Sequence, residues 1–288
     1  MTDEAGAGAG EYAAWLGRKQ TAADQVTRQM AHRMAALLDV DPAPLVDGAE
    51  LPQPWYAALF ATVAPQAALA VDGIPERGDF LPPVPLPRRM FAGRRALFGE
   101  PLLIGDEVER ESEITAIEPK TGRGGAMVFV TILHRISARG DVRIVEEQDV
   151  VFREAASGPA KAPPPQRPEG MAVWKRAVTP DATMLFRYSA LTFNGHRIHY
   201  DADYARGVEG YPDRIVNGGL TTLLLLELAR AKLGRPFRQI STRNRRPLYV
   251  DKPVTLGGGP SPYPDQFDLW ALDADGNVAT EITLSAGR

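Results

Sequence analysis

The sequence predicts an α+β fold made of two halves that resemble each other. Residues 95–105 and residues 246–257 share one pattern, an arginine-led apolar segment with a proline and a closing glycine, and strand-rich sequence follows each of them. A run of leucines within residues 221–232 predicts a helix that is apolar on all sides and has to be covered by a sheet. A repeat of this length indicates duplication of a whole domain rather than a solenoid.

The remaining elements follow from composition along the chain. Runs rich in Val, Ile, Thr and Phe, separated by Gly and Asp, predict antiparallel hairpins from residues 127–136 with 142–152, and from residues 267–271 with 278–284. Apolar spacing predicts a helix over residues 11–38, with Thr27 or Asp24 as its cap, and a central helix over residues 55–69 in the first half.

A proline-rich stretch separates the halves. Proline removes a backbone donor and fixes φ, so residues 156–170 are expected to form an extended linker. The predicted domains are therefore residues 1–155 and residues 171–288, and catalysis is expected in the second.

Composition excludes several classes of protein. The 288-residue chain is 44% hydrophobic and 24% charged, with a net charge of −3 and no clustered basic face, so nucleic-acid binding is not expected. The absence of cysteine removes disulfides, thiolate nucleophiles and the usual structural zinc sites. No segment has the length of a membrane span or the character of a secretory signal, and the expected location is the cytoplasm.

Residues 188–201 and 216–220 are the most informative part of the chain. Two of the four histidines, His196 and His199, lie in one short polar segment. Gly218 and Gly219 then open the leucine-rich helix. This order suits a site in which an imidazole base faces a substrate oxygen held by the unpaired N–H groups of a helix N-terminus.

Residues 192–201, Thr-Phe-Asn-Gly-His-Arg-Ile-His-Tyr-Asp, resemble the active-site segment of the MaoC-type hydratases and dehydratases. Residues 15–18, 80–90 and 145–153 are similar to the two-domain branch whose N-terminal half is FAS1-like. That branch includes mesaconyl-CoA and itaconyl-CoA hydratases. The resemblance implies a double hot-dog fold, two antiparallel sheets each wrapping a central helix, and a hydro-lyase that acts on acyl thioesters without a cofactor, coenzyme A being part of the substrate.

The resemblance also assigns residues to roles. The catalytic His of the family matches His199, its catalytic Asp falls on Asn194, and its His-Gly pair matches Asn217 and Gly218. Since an amide does not exchange protons usefully, Asn194 is expected to hold the reacting water, and either Asp201 or His196 is a candidate for a second proton-transfer group. Gly218 and Gly219 fit the oxyanion role.

Three arginines are candidates for contacts with substrate. Arg197 is a candidate partner for a substrate carboxylate, since a guanidinium matches a carboxylate in shape and charge. Arg88 and Arg89 are candidates for contacts with the phosphates of coenzyme A. The alternative is a structural role for Arg197 and ordinary solvated surface for Arg88 and Arg89. The basic cluster of residues 243–246, at the predicted start of a strand, is either a phosphate contact or ordinary surface.

Other functions remain open at this stage. A dehydratase acting on an acyl carrier protein would need exposed arginines for docking, for which Arg88, Arg89, Arg94 and Arg95 are candidates. The third possibility is a non-catalytic protein that binds acyl-CoA or serves as a heterodimer partner, in which Asn194 and Asn217 mark a lost active site. A metal hydrolase is disfavoured because the two histidines lack clear carboxylate partners, and a serine hydrolase because Gly-x-Ser-x-Gly is absent. A homodimer is expected.

Overall fold

The computed structural model describes residues 10–78, 80–122, 125–155, 158, 163–168 and 172–287. The described chain forms one ten-stranded antiparallel sheet with helices packed against it. The strands are β1 (Lys19–Gln25), β2 (Arg88–Phe98), β3 (Glu107–Gly122), β4 (Gly125–Ala138), β5 (Asp141–Arg153), β6 (Trp174–Val178), β7 (Phe237–Asn244), β8 (Val254–Pro260), β9 (Gln266–Leu272) and β10 (Val278–Ala286). The α-helices are α1 (Arg28–Leu38), α2 (Ala182–Leu191), α3 (Ala202–Gly207) and α4 (Gly218–Leu233).

The strand order is the same in both halves. Read outward from the middle of the sheet, the first half gives β2, β5, β4, β3 and β1, and the second gives β7, β10, β9, β8 and β6. The repeated segments of the sequence span the β2–β3 and β7–β8 connections, residues 95–105 with the end of β2 and residues 246–257 with the start of β8. Both predicted hairpins form, as β4 with β5 and as β9 with β10.

The two five-stranded halves meet where β2 pairs antiparallel with β7. Gly93 lies opposite Arg243 and Leu97 opposite Gln239. A Cβ atom on Gly93 would come within 2.5 Å of the carbonyl oxygen of Thr242, so only glycine permits this approach of the two strands. The pairing covers two strand edges that would otherwise be open, and it gives one hydrophobic cluster that contains residues of both halves.

Helix α4 is the central helix of the second half, as the leucine run predicts. Ten of its residues are buried, from Leu220 to Ala229, and it ends at Gly234 in the left-handed conformation. Glu227 interrupts the apolar run, and its carboxylate accepts a hydrogen bond of 2.8 Å from the indole N–H of the fully buried Trp55. Arg230 pairs with the same carboxylate at 2.7 Å. The only charge in the middle of this helix therefore ties it to the first half.

The predicted central helix of the first half, residues 55–69, is wrong. The chain instead forms two short 3₁₀-helices, Gln53–Ala58 and Gln66–Ala68, with irregular backbone between them. Pro65 lies inside the predicted span, where it would remove a helical hydrogen bond and clash with the preceding turn. The 3₁₀ segment nevertheless occupies a central position, since Gln53 exchanges two hydrogen bonds with the backbone of Phe237 in β7.

The predicted helix over residues 11–38 is right only at its C-terminal end. Helix α1 begins after Thr27, whose side chain accepts the N–H of Met30, so the predicted cap is confirmed for Thr27. Residues 19–25 form the edge strand β1, and Asp24 lies in it rather than at a cap. Gly17, with a φ of 74°, turns the chain before this strand.

Most of the predicted linker, residues 156–170, lies outside the described residues; residues 158 and 163–168 are irregular. Within the described part of the chain, no helix is long and apolar enough to cross a membrane.

Replacing Trp55 with Phe is expected to lower the free energy of unfolding by about 1–3 kcal/mol, because the carboxylate of Glu227 loses a buried donor. Urea denaturation measures the change. Trp270→Phe is the matched control, since Trp270 is also buried but has no carboxylate partner among the described residues. An equal decrease in the free energy of unfolding in the two variants would show that the Trp55–Glu227 hydrogen bond adds no stability beyond that of side-chain packing.

Candidate active site

The histidine segment is a tight turn fixed by its own side chains. After α2 ends at Leu191, Phe193 adopts a positive φ of 51°. The side-chain oxygen of Asn194 accepts the backbone N–H of His196 at 3.1 Å. Residues Arg197–His199 then form one 3₁₀ turn. The Asn194 oxygen is therefore held by the turn, and the residue lines the cleft.

A loop of the first half holds this turn from outside. The N–H of Arg197 donates to the carbonyl of Asp72 at 2.8 Å. The backbones of Gly73 and Gly195 approach so closely that a Cβ on Gly73 would lie 2.3 Å from the carbonyl oxygen of Gly195. Gly73 also has a φ of 84°, which side chains rarely adopt. Residues 71–75, here called the buttress loop, thus position the histidine turn.

His199 is held as a neutral base. The ring is 8% exposed, and its Nδ1 lies 2.8 Å from the carbonyl oxygen of Ile215. Because a carbonyl only accepts, Nδ1 carries the proton, and Nε2 keeps its lone pair. Burial, with a smaller effect from His196, lowers the pKa of His199 to about 4, against a weaker opposite effect of the Ile215 hydrogen bond. At neutral pH the ring is therefore ready to accept a proton at Nε2.

His196 lies against His199. The ring centroids are 5.6 Å apart and the planes nearly perpendicular. Burial, followed by the positive charges of Arg89 and Arg88, lowers the pKa of His196 to about 4. Two neutral imidazoles thus share the site, and both line the same cleft.

The N-terminus of α4 is open to a ligand. Asn217 occupies the cap position, but its side chain makes no capping hydrogen bond. Its Nδ2 instead donates to the hydroxyl of Ser189 at 3.3 Å, and its buried Oδ1 has no partner. The side chain at the cap position therefore does not compete with a substrate oxygen for the first N–H groups of the helix, which start at Gly218 and Gly219.

Tyr188 of α2 is a site residue to which sequence reasoning assigns no role. A Cβ on Gly219 would lie 2.2 Å from the phenol oxygen of Tyr188, so the hydroxyl rests on the first turn of α4. Burial raises the pKa of Tyr188 to about 12, and the phenol remains an O–H donor. Its position directly before the polar segment of the sequence was the one signal that could have revealed it.

The histidines and the helix end line one cleft of about 1730 Å³ between the two halves. The first half contributes β2 and part of β5, and the second contributes the histidine turn, the start of α4 and the end of β7. The predicted site residues that line it are Asn194, His199, Asn217, Gly218, Gly219, Arg88 and Arg89. Among the described residues, no cluster of three or more His, Cys, Asp or Glu could hold a metal ion.

Two predicted site residues lie elsewhere. Arg197 does not line the cleft; its guanidinium pairs with Asp201 at 2.7 Å, donates to the carbonyl of Val71 and stacks on Tyr204. Asp201 caps α3 through the N–H of Tyr204 and does not line the cleft. The contact of Arg197 with substrate and the proton-transfer role of Asp201 stay predictions, and both side chains are engaged within the protein.

The arginines of β2 are mostly paired within the protein. Arg88 bonds to Glu209 at 2.7 Å and to the hydroxyl of Tyr211 at 2.9 Å, so it does not offer a free charge to a phosphate. Arg89 donates to a carbonyl of the buttress loop and has no carboxylate partner among the described residues.

The basic cluster predicted at a strand start lies instead at the end of β7. Two of its arginines are paired, Arg245 with Glu281 at 2.5 Å and Arg246 with Asp273 at 2.7 Å.

Residues 56–250 match the model of the family described as hydroxyacyl-thioester dehydratase type 2. The chain belongs to this family. It is also 42% identical over 281 residues to a mesaconyl-C(4)-CoA hydratase of Chloroflexus aurantiacus, covering 96% of this chain and 98% of that one. As a hydroxyacyl-thioester dehydratase, the protein is a hydro-lyase, and the resemblance found in the sequence is confirmed.

Solved structures confirm the fold. A MaoC-like dehydratase matches with a TM-score of 0.72 at 16% identity, covering 95% of this chain and 98% of that one. A conserved hypothetical protein of Mycobacterium tuberculosis, described as a double hotdog, matches with a TM-score of 0.60 at 13% identity, covering 94% and 96%. The double hot-dog prediction is therefore confirmed, with a 3₁₀ segment in place of the first central helix.

The dehydratase should stay active well below the ordinary titration range of histidine. As the pH falls from neutrality, kcat/KM is expected to stay constant until the pH nears the His199 pKa of about 4, where protonation removes the Nε2 lone pair. An initial-rate profile measures this, with circular dichroism at each pH as the control for folding. Loss of activity near pH 6.5, the ordinary pKa of histidine, would contradict the buried neutral ring.

Proposed function

We propose that this dehydratase-family protein hydrates a short dicarboxylic 2-enoyl-CoA and catalyses the reverse dehydration. The observation that carries the proposal is a histidine with its Nδ1 proton fixed on Ile215 in the same cleft as the uncapped N-terminus of α4. The near full-length similarity to mesaconyl-C(4)-CoA hydratase supports a CoA ester with a second carboxylate on the acyl group.

The proposed reaction needs one base and one oxyanion site. Nε2 of His199 takes a proton from water while the water oxygen bonds to C3 of the enoyl thioester. The C2–C3 π electrons move toward the thioester, and the enolate oxygen accepts hydrogen bonds from the N–H groups at Gly218 and Gly219. The imidazolium of His199 then protonates C2 as the carbonyl re-forms. Hydroxyl and hydrogen are thus added across the double bond, and the imidazole is regenerated.

Asn194 and Tyr188 assist in this scheme without exchanging protons. The NH₂ group of Asn194 orients the water, since its oxygen is held by the N–H of His196. The neutral Tyr188 hydroxyl is a third donor beside the first turn of α4. An oxyanion site of this kind compensates for the Asn that stands where the family pattern has an Asp.

We also propose that residues 1–155 and 171–288 are two hot-dog domains joined by residues 156–170. The shared strand order supports the division. In this scheme residues 171–288 carry the base and the oxyanion site, and residues 1–155 supply the opposite wall and the buttress loop.

A carrier-protein substrate is the second candidate, and the arginines of β2 give it little support. Arg94 is buried with Glu146 at 3.4 Å, and Arg95 pairs with Glu147 and with Asp149, both at 2.7 Å. Arg88 is paired as well, so this strand does not present a free basic docking surface. Cytoplasmic location, a homodimer and independence of a cofactor stay predictions.

Replacing His199 with Ala is expected to lower kcat by about 10²- to 10⁴-fold, because the base is lost. The loss of enoyl-thioester absorbance with mesaconyl-C(4)-CoA measures it. His32→Ala is the matched control, since His32 also contacts a backbone carbonyl, that of Leu45, at 2.9 Å, but lies outside the cleft. Full activity of the His199 variant would refute the mechanism.

Replacing Gly219 with Ala is expected to lower kcat by about 10²- to 10³-fold with a smaller change in KM, because the new methyl group displaces Tyr188 or the helix tip. Gly207→Ala in α3 is the control, since a Cβ there meets nothing within 4 Å. Unchanged kcat in the Gly219 variant would place the thioester oxygen elsewhere.

A further inference from the structure

Arg89 lines the cleft and has no ion pair among the residues that the structure describes. Its one hydrogen bond among the described residues runs from Nη2 to the carbonyl of Pro75, at 3.2 Å. The other three arginines of β2, Arg88, Arg94 and Arg95, each have a carboxylate within 4 Å. Burial lowers the pKa of Arg89, and the carboxylate of Asp72 offsets this only in part. A partly buried charge of this kind is costly unless a ligand supplies the partner.

The buttress loop places the guanidinium of Arg89 beside the histidine turn. The carbonyl of Pro75 in the loop accepts a hydrogen bond from Arg89. The carbonyl of Asp72 in the same loop accepts the N–H of Arg197 in the histidine turn. The positive charge of Arg89 lowers the pKa of His196, whose ring centroid lies 5.6 Å from that of His199. Arg89 therefore faces the region where the acyl carbons react, and not a remote part of the surface.

The position of Arg89 decides which anionic group of a CoA ester it can bind, a phosphate or an acyl carboxylate. The pantetheine arm separates the phosphates of coenzyme A from the thioester by many bonds, so a phosphate and C3 of the acyl group do not meet the same side chain. A carboxylate on C3 lies within one bond of the reacting carbon. A guanidinium fork also matches a carboxylate in geometry and is always charged.

We propose that Arg89 binds the free carboxylate of the acyl group and selects dicarboxylic thioesters over neutral ones. The inference rests on the proposed hydratase function and deepens it. It also replaces the sequence-based expectation that Arg89 contacts the phosphates of coenzyme A.

The test compares two esters that differ in one group. Mesaconyl-C(4)-CoA carries a carboxylate on C3 where 3-methylcrotonyl-CoA carries a methyl group. In Arg89→Met, kcat/KM for mesaconyl-C(4)-CoA is expected to fall about 10- to 100-fold, the loss of a charge-assisted hydrogen bond. The value for 3-methylcrotonyl-CoA is expected to stay within about threefold of the wild type. Arg89→Lys, which keeps the charge and loses the fork, should be intermediate.

Arg110→Met is the matched control. Arg110 is also partly buried with its Nε unpartnered, but it packs on Phe60 and does not line the cleft. Arg110→Met should leave the ratio of the kcat/KM values for the two esters unchanged. Thermal unfolding of Arg89→Met should show no loss of stability, because the variant removes a charge that lacks an ion pair among the described residues.

Four outcomes would overturn the role of Arg89. The role is refuted if kcat/KM of Arg89→Met falls equally for both esters, or if the ratio of the two kcat/KM values stays as in the wild type. It is also refuted if free coenzyme A inhibits Arg89→Met more weakly, or if the wild-type enzyme does not prefer mesaconyl-C(4)-CoA. If the wild-type protein hydrates neither ester nor any other 2-enoyl-CoA, the proposed function itself fails, which is a distinct result.

Discussion

The antiparallel pairing of β2 with β7 is the constraint on which the rest of the molecule depends. It merges two five-stranded sheets into one and brings the first half against the helix and the turn of the second. Gly93 makes this approach possible, since any side chain there would meet the carbonyl of Thr242. Without the junction, the cleft would lose the wall that carries Arg88 and Arg89, and the catalytic turn would lose the buttress loop.

The duplicated halves have diverged in a way that suits their tasks. The second half keeps a full central helix whose open N-terminus faces the cleft. In the first half, proline residues restrict the same region to short 3₁₀ segments, and their Trp55 and Gln53 bind α4 and β7 instead. One half therefore supplies the helix dipole and its free donors, and the other supports it.

Sequence patterns predicted the fold class, the hairpins and α4, because each depends on local periodicity or on a short motif. The roles of His199 and Gly218 stay predictions, and both residues line the cleft. Sequence patterns could not predict what depends on contacts between distant segments. The hydrogen bond from Arg197 to the carbonyl of Val71 in the first half cannot be read from a motif that also suits substrate binding. Strand β1 was mistaken for helix because its edge position against β3 is a tertiary fact. Pro65 was a local signal that should have ended the predicted helix of the first half.

The charges of the side chains around the two histidines link the fold to the chemistry of the site. Burial is the main reason that both histidines are neutral, and the positive charges of Arg89 and Arg88 lower the pKa of His196 further. A neutral imidazole cannot bind an anion by its own charge, so in the proposed scheme an anionic substrate is attracted by Arg89, which has no ion pair among the described residues. Arg88 cannot take that task while Glu209 neutralises it. In the proposed scheme, base and anion recognition thus lie on different halves, and the buttress loop contacts Arg89 as well as the histidine turn.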